Sequence, residues 1–189
     1  MEDAQLIRSI RGGDTAAFNF LVSRWQDKIH RFAYRFFADG DEAMEITQKT
    51  FIKVYHRIDT LDDEQKFSSW IYRIANNLCL DELKRAGRRR STPIENVLHV
   101  QNKSADHSPY SKLAEKELQM ILQQALASIP DAQRTVIILK EFEEMTFREI
   151  AEVLDEPENT VKSRMYYGLK ALRKIFEKWN INKDIMSYE

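Results

Sequence analysis

The side chains with the most evident chemistry lie near the C-terminus. Lys162, Ser163, Tyr166 and Tyr167 sit close together, flanked by Thr160 and Arg164 and followed by Lys170, Arg173 and Lys174. Lysine can donate to guanine O6 and N7, a serine hydroxyl pairs with several base edges, and aromatic carbon packs on a thymine methyl. The flanking cations, with Arg148 upstream, suit phosphate oxygens, which position a protein without reading sequence. This is recognition chemistry aimed at a nucleic acid. The same residues on an ordinary amphipathic helix would be a solvated basic face, and the elements around them decide between the two.

Thr146 and Glu149 stand three residues apart and form a capping box. They open a short helix carrying Ile150, Ala151, Val153 and Leu154. Residues 155–158, with Pro157, make a turn. Asn159 or Thr160 then caps a long helix whose apolar stripe is Val161, Met165, Leu169, Leu172 and Phe176. Two helices joined by a tight turn, the second basic and aromatic in its first turns, make a helix-turn-helix that lays its second helix in the major groove. Upstream, Leu113, Leu118, Ile121, Leu122 and Ala125 mark a helix, residues 128–130 break it, and Pro130 opens another with Val136, Ile137, Leu139 and Lys140.

The first half also reads as helices. Asp14 caps one that runs to about Phe37, with Phe18, Leu21, Val22, Trp25, Ile29, Phe32, Ala33 and Phe36 on one stripe. A second starts near Asp41 and shows Met44, Thr47, Phe51, Val54, Tyr55 and Ile58 on one face. Residues 59–66 are a polar connection. A third spans about 68–85, with Phe67, Trp70, Ile71, Ile74, Ala75 and Leu78 inward and Tyr72, Arg73, Asn76 and Asn77 turned away. Asn77 can bond a base edge, and Arg73 can pair with phosphate or stack on a base. Three such stripes cover one another, so residues 1–86 form a helical domain. Residues 87–111 lose periodicity and have the Gly, Pro, Ser and Asn of a linker, and 112–189 form a second domain. The expected fold class is all-α, two small helical domains joined by an extended linker.

The net charge of −1 does not announce a nucleic-acid binder, but charge is unevenly placed. Lys84, Arg85, Arg88, Arg89 and Arg90 crowd together, as do Asp59, Asp62, Asp63 and Glu64, and such patches decide where a phosphate backbone docks. A single cysteine, Cys79, excludes an intrachain disulfide and fits a reducing cytosol. Cys79 and the histidines (His30, His56, His99, His107) lack metal-ligand spacing, so no metal or cofactor is expected. With no nucleophile–base pair and no glycine-rich phosphate loop, neither is an enzyme. No apolar run approaches the ~20 residues that cross a bilayer. The N-terminal MEDAQLIRSIRGGD lacks the apolar core of a signal peptide, which points to a cytoplasmic protein without membrane insertion.

The segment EIAEVLDEPENTVKSRMYYGLKALRK resembles the region 4 helix-turn-helix of extracytoplasmic-function sigma factors, and IPDAQRTVIILKEFEEMTFREIAEVL resembles the helices before it. GDTAAFNFLVSRWQDKI, QKTFIKVYHRI and FSSWIYRIANNLCLDELKR resemble region 2 of that family. The resemblance covers almost the whole chain, in the family's order. It implies a factor that binds core RNA polymerase, on the clamp helices of the largest subunit and the flap of the second largest, and directs it to promoter DNA. Region 4 would read the minus-35 element through Arg148, Thr160, Lys162, Ser163, Arg164, Tyr166, Tyr167, Lys170 and Arg173. Region 2 would open the minus-10 element, using Gln65 and Lys66 of a base-capturing loop at 59–66, Tyr72, Arg73, Asn76 and Asn77, and the basic run Lys84, Arg85, Arg88, Arg89 and Arg90. Polymerase would dock on Glu45, Gln48, Lys49 and Ile52. Many relatives are restrained by an anti-sigma factor.

Met44 and Lys49 stand where the family usually has acidic residues, and the 59–66 loop is rich in acids. Phe67 and Trp70 lie on the core stripe and read as packing. An autonomous helix-turn-helix regulator would account for the second domain, but it has no use for FSSWIYRIANNLCLDELKR, and no helix is left over for dimerisation.

Overall fold

The computed structural model describes residues 2–90 and 109–181, with only the backbone described at 88–90 and 109–116. Among the described residues the regular structure is helical and no strand occurs. Helices α1 (Asp3–Arg11), α2 (Thr15–Phe37), α3 (Gly40–Arg57) and α4 (Phe67–Arg90) build the first domain. Helices α5 (Pro109–Ala127), α6 (Asp131–Ile137), α7 (Phe147–Leu154) and α8 (Glu158–Lys178) build the second.

Helix α2 begins where its cap predicts. The Asp14 carboxylate accepts from the Ala16 and Ala17 amides at 2.9 and 3.2 Å, satisfying donors with no partner inside the helix. Helix α3 is capped by Asp39, which accepts from Asp41 N and Glu42 N, so it starts one residue before Asp41. Its buried side differs from the expected stripe. Ala43, Ile46, Thr47, Thr50, Phe51 and Val54 point inward, while Met44 and Tyr55 are about half exposed, at 50% and 53%. The two threonines can be buried because their hydroxyls donate to the Ala43 and Ile46 carbonyls at 2.7 and 2.8 Å.

Helix α1 was not anticipated. It buries Ala4, Leu6 and Ile7. Its first turn is tied to α2 by Asp3, which accepts from Trp25 Nε1 at 3.0 Å and pairs with Arg24 at 2.5 Å. Gly13, at φ +90°, takes the left-handed backbone that returns the chain into α2. Helix α4 continues through Gly87 to Arg90, beyond the expected end at 85. Arginine is a good helix former, and one glycine costs only about 1 kcal/mol.

In the second domain α6 passes into a π-helical turn, Ile138–Phe142, that buries Ile138 and Leu139. Helices α6 and α8 meet at Gly168. A Cβ there would lie 2.8 Å from Ile137 Cδ1 and 3.2 Å from Gln133 Cβ, so only glycine permits this approach unchanged. The buried stripe of α8 is therefore Val161, Met165, Gly168 and Leu172, and Leu169 faces out at 47% exposure.

The two domains touch. Helix α4 has α2 and α3 against one side and α7 against another. Arg134 of α6 donates to the Phe36 carbonyl at 3.3 Å.

Candidate nucleic-acid interface

The paired helices of the second domain are set by their ends. Thr146 and Glu149 form the expected capping box, Thr146 Oγ1 accepting from Glu149 N at 3.2 Å and Glu149 Oε2 accepting from Thr146 N at 2.7 Å. Asp155 closes α7 in the left-handed region at φ 55°. Helix α8 starts at Glu158, earlier than the expected Asn159 or Thr160 cap, with Pro157 at the N-cap and its carbonyl accepting from Thr160 N and Val161 N at 2.9 and 3.2 Å.

With Gly168 locked on Ile137, the opposite side of α8 is turned outward. Lys162, Ser163, Tyr166, Tyr167, Lys170 and Arg173 are all exposed, the two tyrosine rings at an edge-to-face distance of 5.4 Å. Lys162 pairs with Glu158 at 2.6 Å, and Arg173 lies 3.5 Å from Glu177. Exposed pairs of this kind are worth about 0–1 kcal/mol and yield readily to a stronger anion. Two members of the expected set differ. Arg164 is half-buried and turned back to Glu156 of the inter-helix turn at 2.8 Å, and Thr160 is half-buried. Arg148 is exposed but lines the cleft between the domains.

The α4 side is another matter. Tyr72, Arg73, Asn76 and Asn77 were expected to turn away from the core into open space. Asn77 is exposed, but Tyr72 and Asn76 are 3% exposed. The Tyr72 ring packs edge-to-face on Trp25 and Phe32 of α2, at 6.0 and 5.3 Å, so it belongs to the core of the first domain and only its hydroxyl reaches the second. Tyr72 donates its hydroxyl to Glu143, and Thr135 donates to Asn76 Oδ1 at 3.1 Å. Arg73 donates to the Glu152 carbonyl, and Lys66 pairs with the Glu152 carboxylate at 3.3 Å. Polar groups withdrawn from water need partners, and here the facing domain supplies them.

Glu143 is the centre of this contact. Arg35 lies 3.6 Å from it and stacks its guanidinium over Phe142 at 4.3 Å. Burial raises the Glu143 carboxyl above its ordinary range, against the opposing pull of the Tyr72 hydrogen bond and Arg35. Burial, then the Glu143 charge, raises the Tyr72 phenol so that it stays a donor. Sequence reasoning missed Glu143, Thr135 and Glu152, since nothing local in the chain marks a residue whose partner lies in another domain.

Trp70, expected in the core, is half-buried and lines the interdomain cleft, whereas Phe67 is core at 1% exposure. Asp62, Asp63, Glu152, Asp155, Glu156 and Glu158 line that cleft against Lys66, Arg73 and Arg148, so carboxylates predominate. In the 59–66 loop Asp63 caps a 3-10 turn through Gln65 N at 2.9 Å, Glu64 is paired at 2.8 Å with Arg11, and Gln65 is exposed. Two of the loop's acids thus have structural partners.

Lys84 and Arg85 are exposed near the end of α4, Arg85 lying 3.4 Å from Glu82. The side chains of Arg88, Arg89 and Arg90 and most of the expected linker, 91–108, lie outside the described residues. On α3, Glu45, Gln48 and Ile52 are exposed beside Met44 and Tyr55, and Lys49 pairs with Glu45 at 2.5 Å. The face expected to meet the polymerase is therefore continuous, apolar at Met44, Ile52 and Tyr55, with one acid partly neutralised by its neighbour. Cys79 is buried, and its thiol is pushed up by desolvation. Among the described residues no cluster of His, Cys, Asp and Glu could hold a metal, and no helix is long and apolar enough to cross a membrane.

The family model for sigma-70 region 2 matches residues 21–89, and that for sigma-70 region 4 matches 119–172. The chain is 36% identical over 180 residues to the ECF RNA polymerase sigma factor SigW of Bacillus subtilis (strain 168), covering 89% of this chain and 93% of SigW. It is 31% identical to the RNA polymerase sigma-H factor of Pseudomonas aeruginosa, covering 93% and 94%. Its fold is similar to that of CnrH in complex with the cytosolic domain of CnrY, with a TM-score of 0.70, 22% identity and coverage of 93% and 97%. It is also similar to the sigma factor RpoE in complex with the anti-sigma factor NepR from Bartonella quintana, with a TM-score of 0.65, 20% identity and coverage of 85% and 96%.

Proposed function

The chain belongs to the extracytoplasmic-function sigma factors, and from that premise we propose how its surfaces divide the work of initiation. It is a transcription-initiation factor that directs core RNA polymerase to promoters. Residues 1–86 dock on the polymerase clamp through Glu45, Gln48, Lys49 and Ile52 and hold the minus-10 element, 87–111 connect, and 112–189 read the minus-35 element as duplex. The outward face of α8 carries this reading. Lys162, Ser163, Tyr166 and Tyr167 stand in its first turns where a recognition helix meets base edges, and Lys170 and Arg173 follow where phosphates pass. Arg164 contributes by bracing the turn through Glu156.

Use of both promoter elements requires the domains to part. The minus-10 and minus-35 elements lie about 25 base pairs apart, roughly 85 Å at ~3.4 Å per pair. Here α4 and α7 are in contact, and the Tyr72 hydroxyl, Arg73 and Asn76 are bonded to the second domain. The carboxylates of the cleft also repel a phosphate backbone, so strand capture on α4 follows opening. An anti-sigma partner, which NepR is for the Bartonella RpoE, would act on this equilibrium. The factor works in the cytoplasm with no catalytic chemistry of its own, the polymerase supplying it.

Reconstitution with core polymerase and transcription from a randomised promoter pool tests the whole. Enrichment of one two-part sequence, lost when either half is scrambled, is the expected result. Sequence-specific duplex binding without polymerase-dependent transcription would instead establish an autonomous regulator.

A further inference from the structure

Helix α1 has a guanidinium committed to a loop about fifty residues away in the chain. Arg11 donates to the Glu64 carboxylate at 2.8 Å, to the Ile58 carbonyl at 3.1 Å and to the Leu61 carbonyl. Arg8 reaches the same Glu64 at 3.4 Å. Ile58 and Leu61 are buried, at 3% and 5%, and each gives Arg11 a carbonyl from the 3-10 turn that closes α3. The three acceptors span the loop from its first turn, Ile58–Thr60, to its second, Glu64–Lys66. A planar guanidinium can meet several acceptors at once in fixed directions, which an ammonium cannot. The other end of α1 is fixed independently, since Asp3 is held by Trp25 and Arg24 and Ala4, Leu6 and Ile7 are buried. The helix is thus a strut, seated on α2 at one end and clamping the loop at the other.

We propose that Arg11 is a positioning residue for minus-10 recognition, holding residues 58–66 in the one shape that presents Gln65 and Lys66 to an unpaired base. The inference rests on the reading of 59–66 as the base-capturing loop. Arg11 itself does not touch DNA. Its side chain is 27% exposed, and its guanidinium is turned to protein acceptors. Its effect is on loop order, so its loss widens which bases are accepted at minus-10 before it lowers the amount of holoenzyme.

The test is minus-10 selection from a randomised pool by reconstituted holoenzyme, with the minus-35 element held constant. Arg11→Ala should flatten base preference at the captured position by about tenfold, the scale of one lost base contact. Arg11→Lys, which keeps the charge but not the three-way fork, should flatten it nearly as far. Minus-35 preference and polymerase co-purification should not change. A uniform fall in transcription with an unaltered minus-10 profile would overturn the proposal and leave Arg11 a purely structural residue. If Arg11→Ala does not fold, Glu64→Gln, which weakens the same clamp from the loop side, gives the same readout. A parallel Gln65→Ala/Lys66→Ala variant separates the two levels. If it leaves minus-10 selection unchanged, the base-capturing role of the loop fails. If it alters selection while the Arg11 variants do not, only the positioning role fails.

Discussion

Helices α4 and α8 both carry a polar side that sequence reasoning assigned to DNA, yet the protein treats them differently. Helix α8 is buried along one stripe and open on the other, so Lys162, Tyr166 and Tyr167 meet water. Helix α4 is buried on two sides, and Tyr72 and Asn76 meet Glu143 and Thr135 of the other domain. A polar face is therefore a statement about hydrogen-bonding need. Water, a nucleic acid or a second domain can each satisfy it, and periodicity does not choose among them.

The largest expected effect sets two tyrosines against each other. Tyr72→Phe removes a donor from the buried Glu143, at about 1–3 kcal/mol or more for a charged acceptor, and only in the closed arrangement. Small-angle scattering should register expansion of the free protein. Tyr166→Phe on α8 should leave the scattering profile as it was, and equal expansion from both would dissolve the contrast. Next, Lys162→Ala should remove about 1–3 kcal/mol of minus-35 discrimination without changing compactness. Equal weakening on all duplexes, measured by competition binding, would reduce Lys162 to a phosphate contact. The smallest effect falls on Lys66→Ala. Its exposed pair with Glu152 contributes about 0–1 kcal/mol to closure, so compactness should barely respond. The salt slope of promoter binding should nevertheless fall by about 0.7–0.9 if Lys66 contacts a phosphate, and an unchanged slope would place it off the DNA.

Elements with strong local signals were legible. Asp14, the Thr146–Glu149 box and the apolar stripe of α2 each act within a few residues, and each is found where expected. Most outward residues of α8 followed from the same arithmetic, but Arg164 is turned back to Glu156, and on the buried stripe a glycine took the place of an apolar residue. Gly168 is buried because Ile137 comes close, and no stripe count finds a residue with no side chain. On α3 Thr47 is inward as expected, while Ala43, Ile46 and Thr50 took the places expected of Met44 and Tyr55, Thr50 because its hydroxyl finds its own helix carbonyl. The fate of Arg73, Asn76 and the Tyr72 hydroxyl was not legible, since their partners are separated by the whole linker. Helix α1 went unread because nine residues give too short a window for its period to stand out. Of the acids in the 59–66 loop, Asp63 is a cap and Glu64 an ion-pair partner of Arg11, roles that the composition of the loop alone does not reveal.

The contacts of Tyr72, Arg73 and Asn76 with the second domain also bear on how strongly the factor competes for polymerase. A ligand that needs the open form binds with an apparent dissociation constant raised by the inverse of the open fraction. Were the closed form favoured by about 99 to 1, the same surfaces would bind roughly a hundredfold more weakly than their contacts allow. Substitutions at Glu143 or Thr135, which act on the interdomain contact, would then raise or lower the factor's share of the polymerase pool. The promoter affinity of the assembled holoenzyme, already open, would stay as it was.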